Sequence, residues 1–335
     1  FSFYLDLDVV GIVLFAVSWI LIPFFALNDR VSFDGRKLSR TGVVPRVWAW
    51  LFSVRRRLRL SDVEQVETAA IRAVRRGSMV HYRYRTVLRG KGVQIAVASG
   101  GDEYRRMIHA ILPLLDEEIL DTRSIELRNH LADTKETLMK AEFSRIPSAE
   151  ALEVFLHNEL GRKGRRKPAA GSIEEDDKAE DLRDLANELR VSGHLARSLE
   201  AFRRAIVLKP RDGWLLFEFA RCLHAFAGVS REPRLERRAL AAVRLSERRG
   251  FNDPDLLTRL GEWYFSLGDY RRAGTAFESA RERRGENFRA YRGLAEIALR
   301  EGKIAHVIHQ FASAARAAGS PALRRRYAST CRPPQ

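Results

Sequence analysis

The longest apolar run of the chain, residues 9–27, reads VVGIVLFAVSWILIPFFAL and carries no charge. Coiled as a helix at about 1.5 Å per residue it spans roughly 28 Å, close to the roughly 30 Å of a bilayer's hydrocarbon. The pattern predicts one transmembrane helix within residues 1–28. A cleaved signal peptide fits less well, because Asp6 and Asp8 stand upstream where basic residues belong and no small-residue cleavage site follows. The sequence opens at Phe1, which leaves room for a helix further upstream. Beyond residue 28 the period changes. Alternating or β-rich runs occur at 31–33, 58–60, 63–66, 79–88 and 93–98. Turn residues part them at Asp34-Gly35, Gly77-Ser78, Gly90-Lys91-Gly92 and Gly100-Gly101. Then 102–115 turns helical, with Tyr104, Ile108, Ile111 and Leu112 on one face. Strands closed by one helix describe a small α+β domain over residues 29–116. Within it, 43–53 holds Trp48, Trp50 and Phe52, and reads either as a strand with aromatics at period two or as an amphipathic piece at lipid headgroups.

Residues 117–160 read as a helical connector broken at Ile146-Pro147, with Ser148 as the N-cap of its second piece. Residues 161–178, GRKGRRKPAAGSIEEDDK, have too few apolar side chains to fold and read as a flexible linker. From residue 179 onward the chain repeats itself. Leu260 and Leu294, Gly261 and Ala295, Gly268 and Gly302, Phe277 and Phe311, and Ala280 and Ala314 are each 34 residues apart. In 179–212, Leu182, Leu185, Ala186, Leu189, Gly193, Phe202, Ala205 and Pro210 fill corresponding places. Residues 213–253 make a degenerate unit of 41 residues, whose surplus falls at 227–233 between its two helices. Residues 321–328 read as a capping helix with Arg324–Arg326 on its wet face. Small residues allow two helices to approach, the glycine permits the turn, and the phenylalanine fills the space between neighbouring pairs.

This spacing resembles the tetratricopeptide repeat, whose period is about 34 residues. The resemblance implies an all-α solenoid over 179–335 that binds a protein partner in a concave groove lined by the first helix of each pair. It places Arg183, Asn187, Trp214, Phe217, Arg221, Arg259, Glu262 and Arg292 in that groove. The arginines suit an acidic peptide or helix, with Trp214 and Phe217 as apolar anchors. The plainer reading makes the arginines ordinary surface residues and the aromatics inter-repeat core. Arg183 and Asn187 fall where carboxylate-clamp members of the family bind chaperone C-termini, but Glu218 and Asp255 carry the wrong charge for a clamp.

A second resemblance, to bacterial PH-like domains that follow membrane helices, rests on RRRLRLSDVEQVE (55–67), YRYRTVL (82–88), GVQIAVASGG (92–101) and DEYRRMIHAIL (102–112). It implies the fold of 29–116 and carries no ligand specificity. The fold expected for the whole is thus multi-domain: a single transmembrane α-helix, a small α+β PH-like domain and a C-terminal tetratricopeptide solenoid.

Charge sharpens this picture. The net charge is +16, distributed as +10 over 29–116, −3 over 117–178 and +11 over 179–335. The apolar run has acids before it and Arg30, Arg36, Lys37, Arg40 and Arg46 after it, which by the positive-inside bias places the remainder in the cytoplasm of a bacterial inner membrane. Arg55, Arg56, Arg57, Arg75 and Arg76 are candidates for contact with anionic lipid headgroups, or else form a solvated face. The two cysteines, Cys222 and Cys331, form no CxxC or Cys/His pattern. His306 and His309 are one helical turn apart and lack a third ligand in the sequence.

No P-loop, dinucleotide fingerprint, HExxH, GxSxG or kinase motif occurs, so the expectation is no enzyme, no cofactor and no metal. The function expected is a membrane-anchored scaffold or accessory subunit of a membrane complex. The alternative is a membrane-proximal nucleic-acid binder using the basic blocks, which the absence of any nucleic-acid-binding motif disfavours.

Overall fold

A computed structural model describes residues 12, 15–19, 30–52, 55–74, 80–98, 102–152 and 173–330. The apolar run at 9–27 lies mostly outside these. Where described it is helical, and the Ser18 hydroxyl donates to the Phe15 carbonyl at 2.7 Å. Among the described residues no helix is long and apolar enough to cross a membrane.

Two antiparallel three-stranded sheets follow. The first joins β1 (Arg30–Phe33), β2 (Lys37–Thr41) and β3 (Arg57–Arg59) in that order; the second joins β4 (Gln65–Val74), β5 (Val80–Gly90) and β6 (Val93–Ala98). β2 escapes a pattern reading because KLSRT offers one apolar residue, Leu38, which is fully buried. The turn before it is fixed by Asp34, whose Oδ1 accepts the backbone N–H groups of Arg36 and Lys37. Residues 43–52, open between strand and amphipathic piece, form helix α1 (Val43–Phe52). Helix α2 (Asp102–Ile111) and the 3₁₀ turn after it bury the expected face, Tyr104, Ile108, Ile111 and Leu112, against the sheets.

The connector breaks where expected, helix ending at Phe143 and resuming at Ala149 after Ile146-Pro147-Ser148. It also breaks earlier, between α3 (Thr122–His130) and α4 (Thr134–Phe143), because Asp133 turns its carboxylate onto the Lys135 N–H and caps a new helix. The linker does not reach residue 178. Helix α5 (Ile173–Ser192) starts inside it, with Glu174, Glu175 and Asp176 complementing the positive end of the helix dipole.

Four antiparallel helical hairpins and a capping helix follow among the described residues: α5 with α6 (Leu195–Leu208), α7 (Gly213–Ser230) with α8 (Pro233–Arg249), α9 (Pro254–Ser266) with α10 (Tyr270–Arg283), α11 (Phe288–Arg300) with α12 (Ile304–Ala317), then α13 (Pro321–Thr330). This is a solenoid of tetratricopeptide-like arrangement. The surplus of the second unit is not a loop. It lengthens the helices, α7 running 18 residues where α9 and α11 run 13, and α8 running 17 where α10 and α12 run 14.

The α+β unit and the solenoid share one core. Sheet residues Leu58, Val66, Leu88 and Ile95, connector residues Ile119, Leu120, Ile125 and Leu127, and solenoid residues Val191, Phe288, Leu323 and Tyr327 belong to a single buried cluster. Gly193, at the first hairpin turn, shows why the join is close. Its φ is +91°, its carbonyl accepts the Val80 N–H at 3.3 Å, and a Cβ there would stand 1.8 Å from the Val80 oxygen.

Candidate functional site

The first helices of the hairpins line one face of the array, and part of the chain's own connector lies against it. Residues 117–130 lie along the groove, anchored on the sheet side by backbone and hydroxyl bonds. Asp121 N–H donates to the Val66 carbonyl, and a buried chain runs Ser124 Oγ, Thr68 Oγ1, Thr86 Oγ1, Tyr104 Oη at 2.8, 2.9 and 2.8 Å. On the groove side the connector's acids meet arginines. Glu126 takes Arg190 at 2.9 Å and also Arg221; Glu117 takes Arg259 at 3.0 Å; Thr122 donates to Glu262 at 2.7 Å. At the far end Glu118 accepts the Gly319 N–H at 2.8 Å.

Of the residues expected in a partner groove, Arg221, Arg259 and Glu262 meet the connector, and the others are bonded or packed within the array. Arg183 grips Glu218 through two nitrogens at 2.6 and 2.7 Å, and Asn187 Nδ2 donates to the same carboxylate at 3.0 Å. The supposed wrong charge at 218 is thus a built-in carboxylate where a clamp would hold a ligand's. Asp255 is taken by Arg284 at 2.7 and 3.0 Å. Phe217 is buried between hairpins, as the plainer reading had it, and the indole N–H of Trp214 donates to Asp253. Arg221 and Arg259 hold the connector. Glu262 sits among Arg289, Arg259 and Arg292; burial pushes its carboxyl up, and the three guanidiniums with Thr122 overcome that, holding it at about 2. Arg292 lies between Glu262 and Glu296, over the Phe288 ring.

Displacing the connector would re-expose Ile119, Leu120, Ile125 and Leu127, all at most 6% accessible. At about 1.5–3 kcal/mol each that costs on the order of 6–12 kcal/mol before any polar bond is counted. A micromolar peptide supplies only about 8 kcal/mol in all. The expectation of an open groove is therefore corrected where Arg221, Arg259 and Glu262 stand: that part of the face is taken by the chain's own connector.

Sequence reasoning missed Glu117, Glu126, Arg190 and Arg289. The signal was present as the acidic connector lying between two basic blocks, a complementarity within the chain.

Three other regions bear on function. On α1, Val43, Val47, Trp50 and Leu51 recur at helical spacing along one stripe, and all are exposed, Trp50 at 81%. Arg46, Arg55, Arg56 and Arg57 beside them are exposed as well; Arg75 and Arg76 lie outside the described residues. At the turn end of the third and fourth hairpins, Leu267, Leu299 and Ile304 are exposed around Arg300, which stacks over the rings of Phe265 and Tyr270 at 5.3 Å. Cys222 is buried against Ser198, and burial pushes its thiol up to about 11; Cys331 lies outside the described residues. His306 and His309 are exposed on α12.

No family model and no curated protein matches the chain. Solved structures do. A structure described as MamA shares 18% identity over 43% of this chain and 81% of its own, with a TM-score of 0.34. TTC0263, a thermophilic TPR protein of Thermus thermophilus, shares 20% over 58% and 95%, with a TM-score of 0.37. A Cut9–Hcn1 hetero-tetramer of the APC/C shares 15% over 64% and 35%, with a TM-score of 0.35. Helical hairpins following one another at the spacing of the repeat are what the chain itself displays.

Proposed function

We propose that the chain is a membrane-anchored protein-interaction scaffold, an accessory or assembly subunit of a bacterial membrane complex. Its solenoid is locked onto the basic α+β unit and takes its partner on an outer edge. One observation carries the reading: the face of the array at Arg221, Arg259 and Glu262 is taken by the chain's own acidic segment, so the surfaces left for a partner are the outer ones. Of these, the edge with Leu267, Leu299 and Ile304 is apolar and flanked by the stacked Arg300, the composition of a protein contact.

The membrane side is supported by the stripe on α1. A helix of a water-exposed surface turns its apolar stripe inward, whereas this one turns Val47, Trp50 and Leu51 outward, as interfacial helices do. The uncharged run at 9–27, long enough in sequence to span a bilayer, supports such a helix lying beside one. Arg55, Arg56 and Arg57 then face an anionic leaflet, at about 1 kcal/mol each.

Fractionation and purification in mild detergent test both halves. The chain should stay with membranes through a high-salt wash and leave them with detergent, together with a second protein that Leu299→Asp/Ile304→Asp loses. Release by salt alone overturns the anchor. A chain that elutes alone, or a partner retained by the double variant, overturns the edge.

A further inference from the structure

We propose that the cavity between α3 and the first helices of the hairpins binds the phosphate group of a small molecule, with Arg289 as its principal donor. The cavity holds about 310 Å³ and is lined by Arg190, Arg221, Arg259 and Arg289. Of the carboxylates on its wall, Glu218 is taken up by Arg183 and Asp255 by Arg284, both outside it. What faces the four guanidiniums is Glu117, Glu126 and Glu262, three carboxylates against four cations. One of these buried positive charges keeps two of its donors without an acceptor.

That charge is on Arg289. Its side chain is about nine-tenths buried, and its Nε donates to Glu262 at 2.7 Å. Nη1 and Nη2 are buried without a hydrogen bond, the nearest carboxylate oxygen, of Glu117, standing 3.7 Å from Nη1. An arginine fork held in this way is costly to bury unless an acceptor arrives. Burial, with Arg259 and Arg292 close by, already draws its pKa down against the pull of Glu262. The open fork matches two oxygens of a tetrahedral anion, and Asn287 and Thr258 add polar groups to the same wall. Burial and Arg190 hold the pKa of His130, on the same wall, below the usual imidazole value.

The full-length chain in detergent would be titrated with inorganic phosphate, pyrophosphate and glycerol 3-phosphate. Sodium chloride and acetate at equal ionic strength serve as controls, and thermal midpoint and calorimetric heat are read. At saturation at least one phosphate should raise the midpoint by roughly 3 °C or more over the controls. The inorganic ions and the ester separate a free anion from a phosphorylated metabolite as the natural source. Arg289→Gln should weaken binding at least tenfold. Arg289→Lys, which keeps the charge and loses the fork, should bind between the two and guards against a Gln variant that fails to fold. A midpoint that follows ionic strength alone, an equal response to acetate, or unchanged binding in Arg289→Lys would overturn the proposal.

Discussion

Phe277 shows at the scale of one residue what the 34-residue spacing is for. Its ring, 1% accessible, stands between Gly261 on α9 and Gly293 on α11, so that a Cβ at either glycine would meet it at 2.6 or 2.4 Å. Gly293→Ala therefore sets two effects against each other. Alanine gains about 1 kcal/mol of helix propensity. Overpacking costs about 1–3 kcal/mol in a core that cannot yield, and a 2.4 Å approach to an aromatic ring is at the severe end. We expect a net loss of about 1–2 kcal/mol in urea unfolding, partly recovered in Gly293→Ala/Phe277→Leu because the two sites touch. Glu262 tests the electrostatics of the joint. With its folded pKa depressed to about 2, it contributes stability that is complete above the unfolded value of about 4.3 and is lost as pH falls toward 2. Replacing it by glutamine should cost about 3 kcal/mol at pH 7 and flatten the fall in stability between about pH 5 and pH 2, as read from urea midpoints across that range.

At the scale of elements, what was legible in the sequence is what is periodic. Helix α2 carries its apolar residues at one helical face and buries that face, and the hairpins fall where leucine, glycine and phenylalanine recur. The elements that escaped are those whose partner is distant. β2 is polar but for Leu38, and only its neighbours β1 and β3 make it a strand. The break at Asp133 is a cap, and one carboxylate near one N–H leaves no trace in a hydrophobic pattern. Likewise the surplus of the second repeat lengthens α7 until it ends on Arg231 in the left-handed region at φ 55°, where a glycine would have announced the turn. The groove was legible in location and not in occupancy. The repeat pattern put Arg221 and Arg259 on the concave face, but a pattern read along the chain does not say that Glu126 and Glu117, about a hundred residues earlier or more, will be laid against them. The α1 stripe was half legible: its aromatics stood out, and only the helix shows that Val43, Val47, Trp50 and Leu51 share a side.

At the scale of the molecule, sheets, connector and solenoid form one body, because the connector contributes to every layer. Its backbone bonds to β4, its hydroxyl at Ser124 starts a relay through β4 and β5 to α2, and its carboxylates hold the first helices of the hairpins. A solenoid standing alone would lose stability repeat by repeat. One stapled to a sheet along its groove should unfold with the sheet. Arg221→Glu/Arg259→Glu distinguishes the two cases. Were the groove open, the two changes would repel an acidic partner and leave the fold intact. In the closed molecule they set carboxylates against Glu126, which is largely buried, and Glu117, which is half exposed; losing one partner of the buried pair costs about 3–5 kcal/mol and like charges add to it. The expected result is a thermal midpoint lower by roughly 5 °C or more, with amide exchange accelerated together in β4, β5 and the first helices of the array. Exchange that quickens in the array while the sheet stays protected would show that the staple does not join them, and the concave face would return as the place to look for a partner.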